Sequence, residues 1–224
     1  MAADPVDDIV TACRALASRG CDTGIGGHVS VRDPERREFW INAFDRTFGE
    51  MTPDDVVKLD YHGNNAADGR FVSYGAEFHA GIYDQRPDVN AIVHSHGTWT
   101  TALACLGRPL KMRHNLCTLF HGDQVMSPDD SFASISKSIG SASTILIPWH
   151  GAITVGSSVE RAAALHATLE DMARIDVTLD ASGDIPELPE EVRDHLRELI
   201  DQKSGYLEQT WDLMKRQAER YVHV

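Results

Sequence analysis

Apolar residues recur at helical spacing over residues 6–19, where Val6, Ile9, Val10, Cys13, Leu16 and Ala17 share one face before Gly20 ends the run. A glycine-rich turn, Gly24-Ile25-Gly26-Gly27-His28, then opens into the alternating Val29-Ser30-Val31, with Glu38-Phe39-Trp40-Ile41 as its hairpin partner. Thr52-Pro53-Asp54-Asp55 has the form of a one-turn N-cap with proline at the first helical position. Val56 to Asp60 reads as a strand closed by the turn His62-Gly63-Asn64. The pattern predicts a helix over 76–86, a short strand over Asn90–His96 and a helix over 99–105. Ser127-Pro128-Asp129-Asp130 is expected to cap another helix running to about Ile139. Strands over 144–148 and 152–155 flank Trp149-His150-Gly151, and Ser158 caps a long helix to about Leu179. Residues 180–186 read as a linker, and 189–221 as a charged, amphipathic helical stretch packed on the same domain or on a neighbouring subunit. The whole describes a mixed sheet between helices with a C-terminal arm.

Composition narrows the function. A chain of 224 residues with 42% hydrophobic and 25% charged positions suits one domain with a modest appendage. Its 21 basic against 34 acidic residues give a formal charge of −13, which argues against nucleic-acid and membrane-surface partners. No apolar run approaches the roughly 20 residues that span a bilayer. The acidic N-terminus lacks a signal-peptide layout. Cys13, Cys21, Cys105 and Cys117 show no CxxC spacing and read as reduced thiols of a cytoplasmic protein, not a secreted one.

The histidines carry the chemistry. In His94-Ser95-His96 two imidazoles lie two apart on a strand, so they point to one side and can reach one point. Each such pattern is ambiguous alone, but His150, emerging from a buried strand beside Gly151, offers a third ligand and leaves open positions for substrate. His28 follows the glycines in a turn, and His114 and His121 flank an irregular apolar segment that could line the same cavity. His62, His166, His195 and His223 have ordinary surface or helix-face readings. The glycine turn does not satisfy GxGxxG and precedes a strand, so it is no dinucleotide site. Ser30 lacks a nucleophile elbow, and no cysteine neighbours a base.

Over about residues 5–180 the order of these features resembles the class II aldolase/adducin family. The resemblance rests on Gly27-His28-Val29-Ser30-Val31-Arg32, Thr52-Pro53-Asp54-Asp55 leading to Asp60, and His79 with Tyr83. It continues through Arg86-Pro87-Asp88-Val89-Asn90-Ala91-Ile92-Val93-His94-Ser95-His96, His150-Gly151 and the helix after Ser158. It implies an α/β fold: a three-layer α/β/α sandwich with a central mixed, largely antiparallel sheet over residues 1–180, followed by a helical extension over 181–224. It further implies a homotetramer with active sites at subunit junctions. His94, His96 and His150 would hold a divalent ion, zinc first, with Fe(II), Mn or Co as alternatives.

The departures are as informative. The family's catalytic glutamate falls on Gly75; Glu77 is two residues away, but two helical steps turn a side chain by about 200°. It replaces the missing carboxylate only if the helix begins later or is locally unwound. The family's phosphate-binding positions correspond to Ile25 and His28, Phe44 and Asp45, and Ser73 and Tyr74. Only Ser73 keeps its type, and Asp45 would repel a dianion. The family's proton-donating tyrosine falls on Asn115. The Gly-His-Val-Ser turn with Phe39-Trp40-Ile41-Asn42 is instead similar to a divergent branch. That branch contains decarboxylase-like members and the non-haem iron oxygenases that shorten prenylated hydroxyphenylpyruvates to benzoates.

The first expectation is therefore a metal-dependent lyase. It performs aldol cleavage or decarboxylation of a small, non-phosphorylated 2-oxo or hydroxy-carbonyl substrate through a metal-bound enolate. Glu77, His28 and His121 are the candidate catalytic groups, and Asn42, Phe44, Ser73, Asn115 and Phe120 the candidate substrate contacts, with Trp40 and Trp99 as further aromatic lining. The second is an iron(II) oxygenase on the same three histidines. The third is an adducin-like interaction module without catalysis.

Overall fold

The protein is described by a computed structural model over residues 4–64 and 70–221. Its elements run α1 (Pro5–Ala17), β1 (His28–Arg32), β2 (Glu38–Asn42), β3 (Val56–Asp60), α2 (Ala76–Gln85), β4 (Ala91–Ser95) and α3 (Thr98–Cys105). They continue as β5 (Gln124–Met126), α4 (Phe132–Ser138), β6 (Thr144–Ile147), β7 (Gly151–Gly156), α5 (Val159–Asp180), α6 (Glu190–Arg197) and α7 (Tyr206–Tyr221). The strands form one sheet in the order β3-β2-β1-β4-β7-β6-β5. Every pairing is antiparallel except β5 with β6.

The period-2 alternation divides the core. Val29, Ala91, Val93 and Ala152 pack with α1, α3, α5 and α7 in one apolar cluster. Ile41, Ile92, Ile153 and Val155 pack with α2 and α4 in the other. The result is the three-layer sandwich expected from the sequence, with a mixed, largely antiparallel sheet.

Local capping signals hold at the starts of α1 and α5. Asp4 accepts from Val6 N ahead of Pro5, and Ser158 caps α5 by accepting from Arg161 N. The expected cap at Ser127 is corrected. α4 starts at Phe132 and is capped by Ser131, whose Oγ accepts from Ser134 N. Ser127 is still tied to the sheet, its amide donating to the Leu146 carbonyl, while its hydroxyl donates to Asp129 O. β5, only three residues long, carried no alternation that a sequence could reveal.

The C-terminal arm belongs to the same body. α7 packs on α1 and α5, burying Leu207, Trp211, Met214 and Ala218. The connecting segment is tied down by Leu188 N on the Met112 carbonyl at 2.7 Å and Met112 N on the Glu187 carboxylate at 2.8 Å. Beside it, Arg113 pairs with the fully buried Asp176 at 3.0 Å. The four cysteines are unpaired, three of them buried. Among the described residues no helix is long and apolar enough to cross a membrane.

Candidate metal centre and its cavity

β4 lies mid-sheet between β1 and β7, so its end is held on both sides. Ile92 faces the α2–α4 layer, and by alternation His94 faces the same way, with His96 just past the strand end. The β1–β4 register sets His28 opposite His94, and β7 runs Ser95 against Ala152. The β6–β7 turn then delivers His150 to the same end of the sheet. Gly151 makes that close approach possible: a Cβ there would meet the Ser95 carbonyl at 2.4 Å. Trp149, the residue before His150, has φ 58° and an indole 76% exposed. A bulky side chain in the left-handed region is strained.

The three Nε2 atoms converge. His96 Nε2 is 3.0 Å from His94 Nε2 and 2.8 Å from His150 Nε2, and all three ligand atoms lie within 4.8 Å of one another. Nitrogens bound about 2.1 Å from one ion stand about 3.0–3.4 Å apart at octahedral to tetrahedral angles; the His94–His96 separation meets the lower limit and the His96–His150 separation is slightly shorter. Their outer nitrogens decide what they present. His94 Nδ1 donates to the Ala152 carbonyl at 3.0 Å. His150 Nδ1 meets Asp130 Oδ1 at 2.6 Å, and a carboxylate only accepts. In their neutral forms both rings therefore turn bare Nε2 lone pairs toward His96, whose single hydrogen can satisfy only one. A cation satisfies all three, so the donor set fits a divalent ion. Burial, and then the neighbouring His28, holds the His94 pKa well below the ordinary range. Burial, then His150, lowers His96 to about 4.

Behind His94 a buried polar row runs toward α2. His28 Nδ1 lies 2.7 Å from His79 Nε2, His79 Nδ1 lies 2.6 Å from Ser30 Oγ, and Ser30 Oγ lies 2.7 Å from the Tyr83 hydroxyl. Burial drives both histidines well below their usual pKa. A second network backs the opposite side of β4: His166, fully buried, bonds Ser95 Oγ at 2.7 Å and Thr154 Oγ1 at 3.1 Å. The surface reading of His166 is thereby corrected. Its place on α5 under β4 and β7 is a tertiary fact that helical periodicity does not carry.

A cavity of about 420 Å³ opens onto His28, His94, His96 and His150, within the usual range for small-molecule sites. Ile25, Phe44, Phe71, Tyr74, Phe78 and Phe132 make most of its wall, with Ser73 at its edge. Among the described residues lining it none is Lys, Arg, Asp or Glu.

The structure brings His28, Phe44 and Ser73 to this cavity with the three converging histidines, but not the other candidates. Glu77 is exposed on the first turn of α2, which starts at Ala76, and lines not the histidine cavity but an adjoining groove with Tyr61 and His62, across the shared Phe71, Ser73 and Tyr74. Asn42 is spent on structure: its Oδ1 accepts from Val29 N, and its Nδ2 donates to Gly27 O and Ala43 O. Phe120 is fully buried in the apolar core and does not line the cavity. Asn115 is exposed and accepts from Leu116 N. His121 faces α6, 3.7 Å from Asp194, with its carbonyl accepting from Arg197. Trp40 and Trp99 pack partly buried against the core. Asp130, which orients His150, was read only as part of a helix cap.

The model of the Class II Aldolase and Adducin N-terminal domain matches residues 7–177. A 4-hydroxy-3-prenylphenylpyruvate oxygenase/4-hydroxy-3-prenylbenzoate synthase of Streptomyces roseochromogenus subsp. oscitans is 30% identical over 194 residues, covering 81% of this chain and 70% of that protein. Decarboxylase NovR of Streptomyces niveus is also 30% identical over 194 residues, covering 81% and 72%. Among solved structures, L-fuculose 1-phosphate aldolase from Glaciozyma antarctica PI12 superposes with a TM-score of 0.87 at 29% identity, covering 97% of this chain and 91% of that one. The sheet order, the three gathered imidazoles and these matches agree: the chain belongs to the class II aldolase and adducin N-terminal domain family.

Proposed function

We propose that this chain is a divalent-metal-dependent lyase that breaks a C–C bond beside the carbonyl of a small 2-oxo or hydroxy-carbonyl acid, by aldol cleavage or decarboxylation. One observation carries the reading: three imidazole nitrogens meet at the mouth of a cavity whose described walls hold no charged side chain. His94, His96 and His150 would hold the ion, which supplies Lewis-acid polarisation of the substrate's carbonyl oxygen. Three neutral ligands leave its full charge to a substrate that brings its own carboxylate. Phe44, Phe71, Phe78 and Phe132 form a lining suited to an apolar or aromatic substituent and exclude water from it. Among the described lining residues no Lys or Arg is present to receive a phosphate dianion. His28 lines the same cavity, its ring centroid 4.7 Å from that of His94, and stands as the polar side chain beside the three ligands.

A second reading, an iron(II) oxygenase, is favoured by the likeness to the relative named a prenylphenylpyruvate oxygenase. The same reading of the family includes a homotetramer, and the exposed cavity residues Ile25, Phe71 and Tyr74 are surfaces such an assembly would cover.

The test is an assay of zinc- and iron-loaded protein against aromatic 2-oxo acids and sugar phosphates, with and without oxygen. Cleavage of a 2-oxo acid that persists without oxygen is expected. Arrest on removing oxygen would transfer the assignment to the oxygenase. Sugar-phosphate turnover at enzymatic rates would overturn both. Light scattering of the same samples reads the assembly.

A further inference from the structure

The buried row from Tyr83 to His28 has a direction, and hydrogen-bond accounting fixes it. Tyr83 and Ser30 are both fully buried, and among the described residues the Tyr83 hydroxyl meets only Ser30 Oγ. If Ser30 donated to Tyr83, the phenolic hydrogen would be left without an acceptor. Tyr83 therefore donates to Ser30, and the one hydrogen of Ser30 goes to His79 Nδ1. That leaves His79 with its hydrogen on Nε2, which donates to His28 Nδ1. His28 must then carry its own hydrogen on Nε2, for which the described residues provide no hydrogen-bond partner.

That nitrogen occupies a particular place. A Cβ on Gly75 would lie 2.6 Å from His28 Nε2, and both residues line the cavity. The imidazole edge stands where a side chain on residue 75 would project. We propose that Ser30, through His79, fixes His28 as the Nε2–H tautomer, so that the cavity receives a neutral hydrogen-bond donor, and no base, in the space a residue-75 side chain would fill. Ser30 is thus a positioning residue, and its partner for this purpose is an oxygen atom of the bound acid. The donor's use rests on the proposed function. Its tautomer does not.

The test is ¹⁵N NMR of histidine-labelled, zinc-loaded full-length protein, with zinc content measured on the same samples. Long-range correlations separate the two tautomers, and His28→Gln and His79→Gln spectra assign the signals. The wild type is expected to show both His28 and His79 as single Nε2–H tautomers. Ser30→Ala should give mixed tautomers at both rings, and Ser30→Thr should restore the single form. Tyr83→Phe should keep it, because Ser30 still has only His79 to donate to. An Nδ1–H or doubly protonated His28 in the wild type would overturn the proposal, whatever Ser30→Ala does to folding. A single unchanged tautomer in Ser30→Ala would remove Ser30 from the role. Loss of zinc binding with the expected tautomers would refute the metal reading alone.

Discussion

His28 and Gly75 compete for one volume: a Cβ built on Gly75 meets His28 Nε2 at 2.6 Å and Cε1 at 2.9 Å. A side chain at residue 75 and the imidazole of the glycine turn therefore exclude one another in their present positions.

Gly75→Ala is accordingly expected to destabilise the protein by about 1–3 kcal/mol through overpacking. The double variant with His28→Ala should recover part of that loss, the contact with Phe78 Cε1 at 2.9 Å remaining. Urea unfolding of the four proteins measures the coupling; additive effects would show that the two residues do not share the space.

Metal retention should depend on all three imidazoles and on the group that orients the third. His94→Ala should abolish zinc binding, and Asp130→Ala should weaken it by about 10–100-fold. Competition with a chelator of known affinity reads both. Chelation should also lower the unfolding midpoint of the wild type, since an ion bound only to the native state stabilises it. Equal zinc content in wild type and His94→Ala would remove the site.

Acid should unfold the protein early. Burial lowers His166 to about 3, and His28, His79 and His94 also lie well below their usual range. Unfolded, each takes a proton near the ordinary pH of about 6.5. Below that, the unfolded chain binds more protons than the native one, so stability falls as pH falls, by up to about 1.4 kcal/mol per pH unit for each such group. For His166 the loss spans about 6.5 to 3. His166→Asn should flatten the slope of stability against pH in metal-free protein. An unaltered slope would contradict the buried neutral ring.

The linker clasp is the place where one removed charge should cost most. Asp176 is fully buried against Arg113 and Arg108, at 3.0 and 2.6 Å. Asp176→Ala leaves both guanidinium groups only the partly exposed Asp180, at 2.9 and 3.2 Å, and removes the buried partner, at an expected cost of about 3 kcal/mol. Asp88→Ala, at the exposed end of its pair with Arg86, should cost about 0–1 kcal/mol. Denaturant midpoints of the two variants make the comparison.

The sequence was legible where a period or a short-range constraint operates. Strand alternation placed His94 and His96 on one side, and the Pro148–Gly151 turn between two apolar runs marked His150. The same rules gave the layers and the starts of α1 and α5. What they could not give is where irregular chain travels. Residues 115–120 form a 3-10 turn that carries Asn115, Phe120 and His121 away from the cavity, and no period announces that course. Asn42 looked like a ligand group because its pairing with the Val29 and Gly27 backbone is set by the hairpin. Asp130 lies 20 residues from His150, and its sequence neighbourhood imitates a helix cap.

The three imidazoles are not anchored alike. One rides a strand clamped by neighbours on each flank and the second follows directly past that strand's end, whereas the third hangs on a turn, leashed by a carboxylate from loop 127–131. Loosening that loop would slacken a single corner of the centre and leave the other two corners in place. Grip on an ion held by these three rings would thereby be adjustable from a surface segment that never touches it.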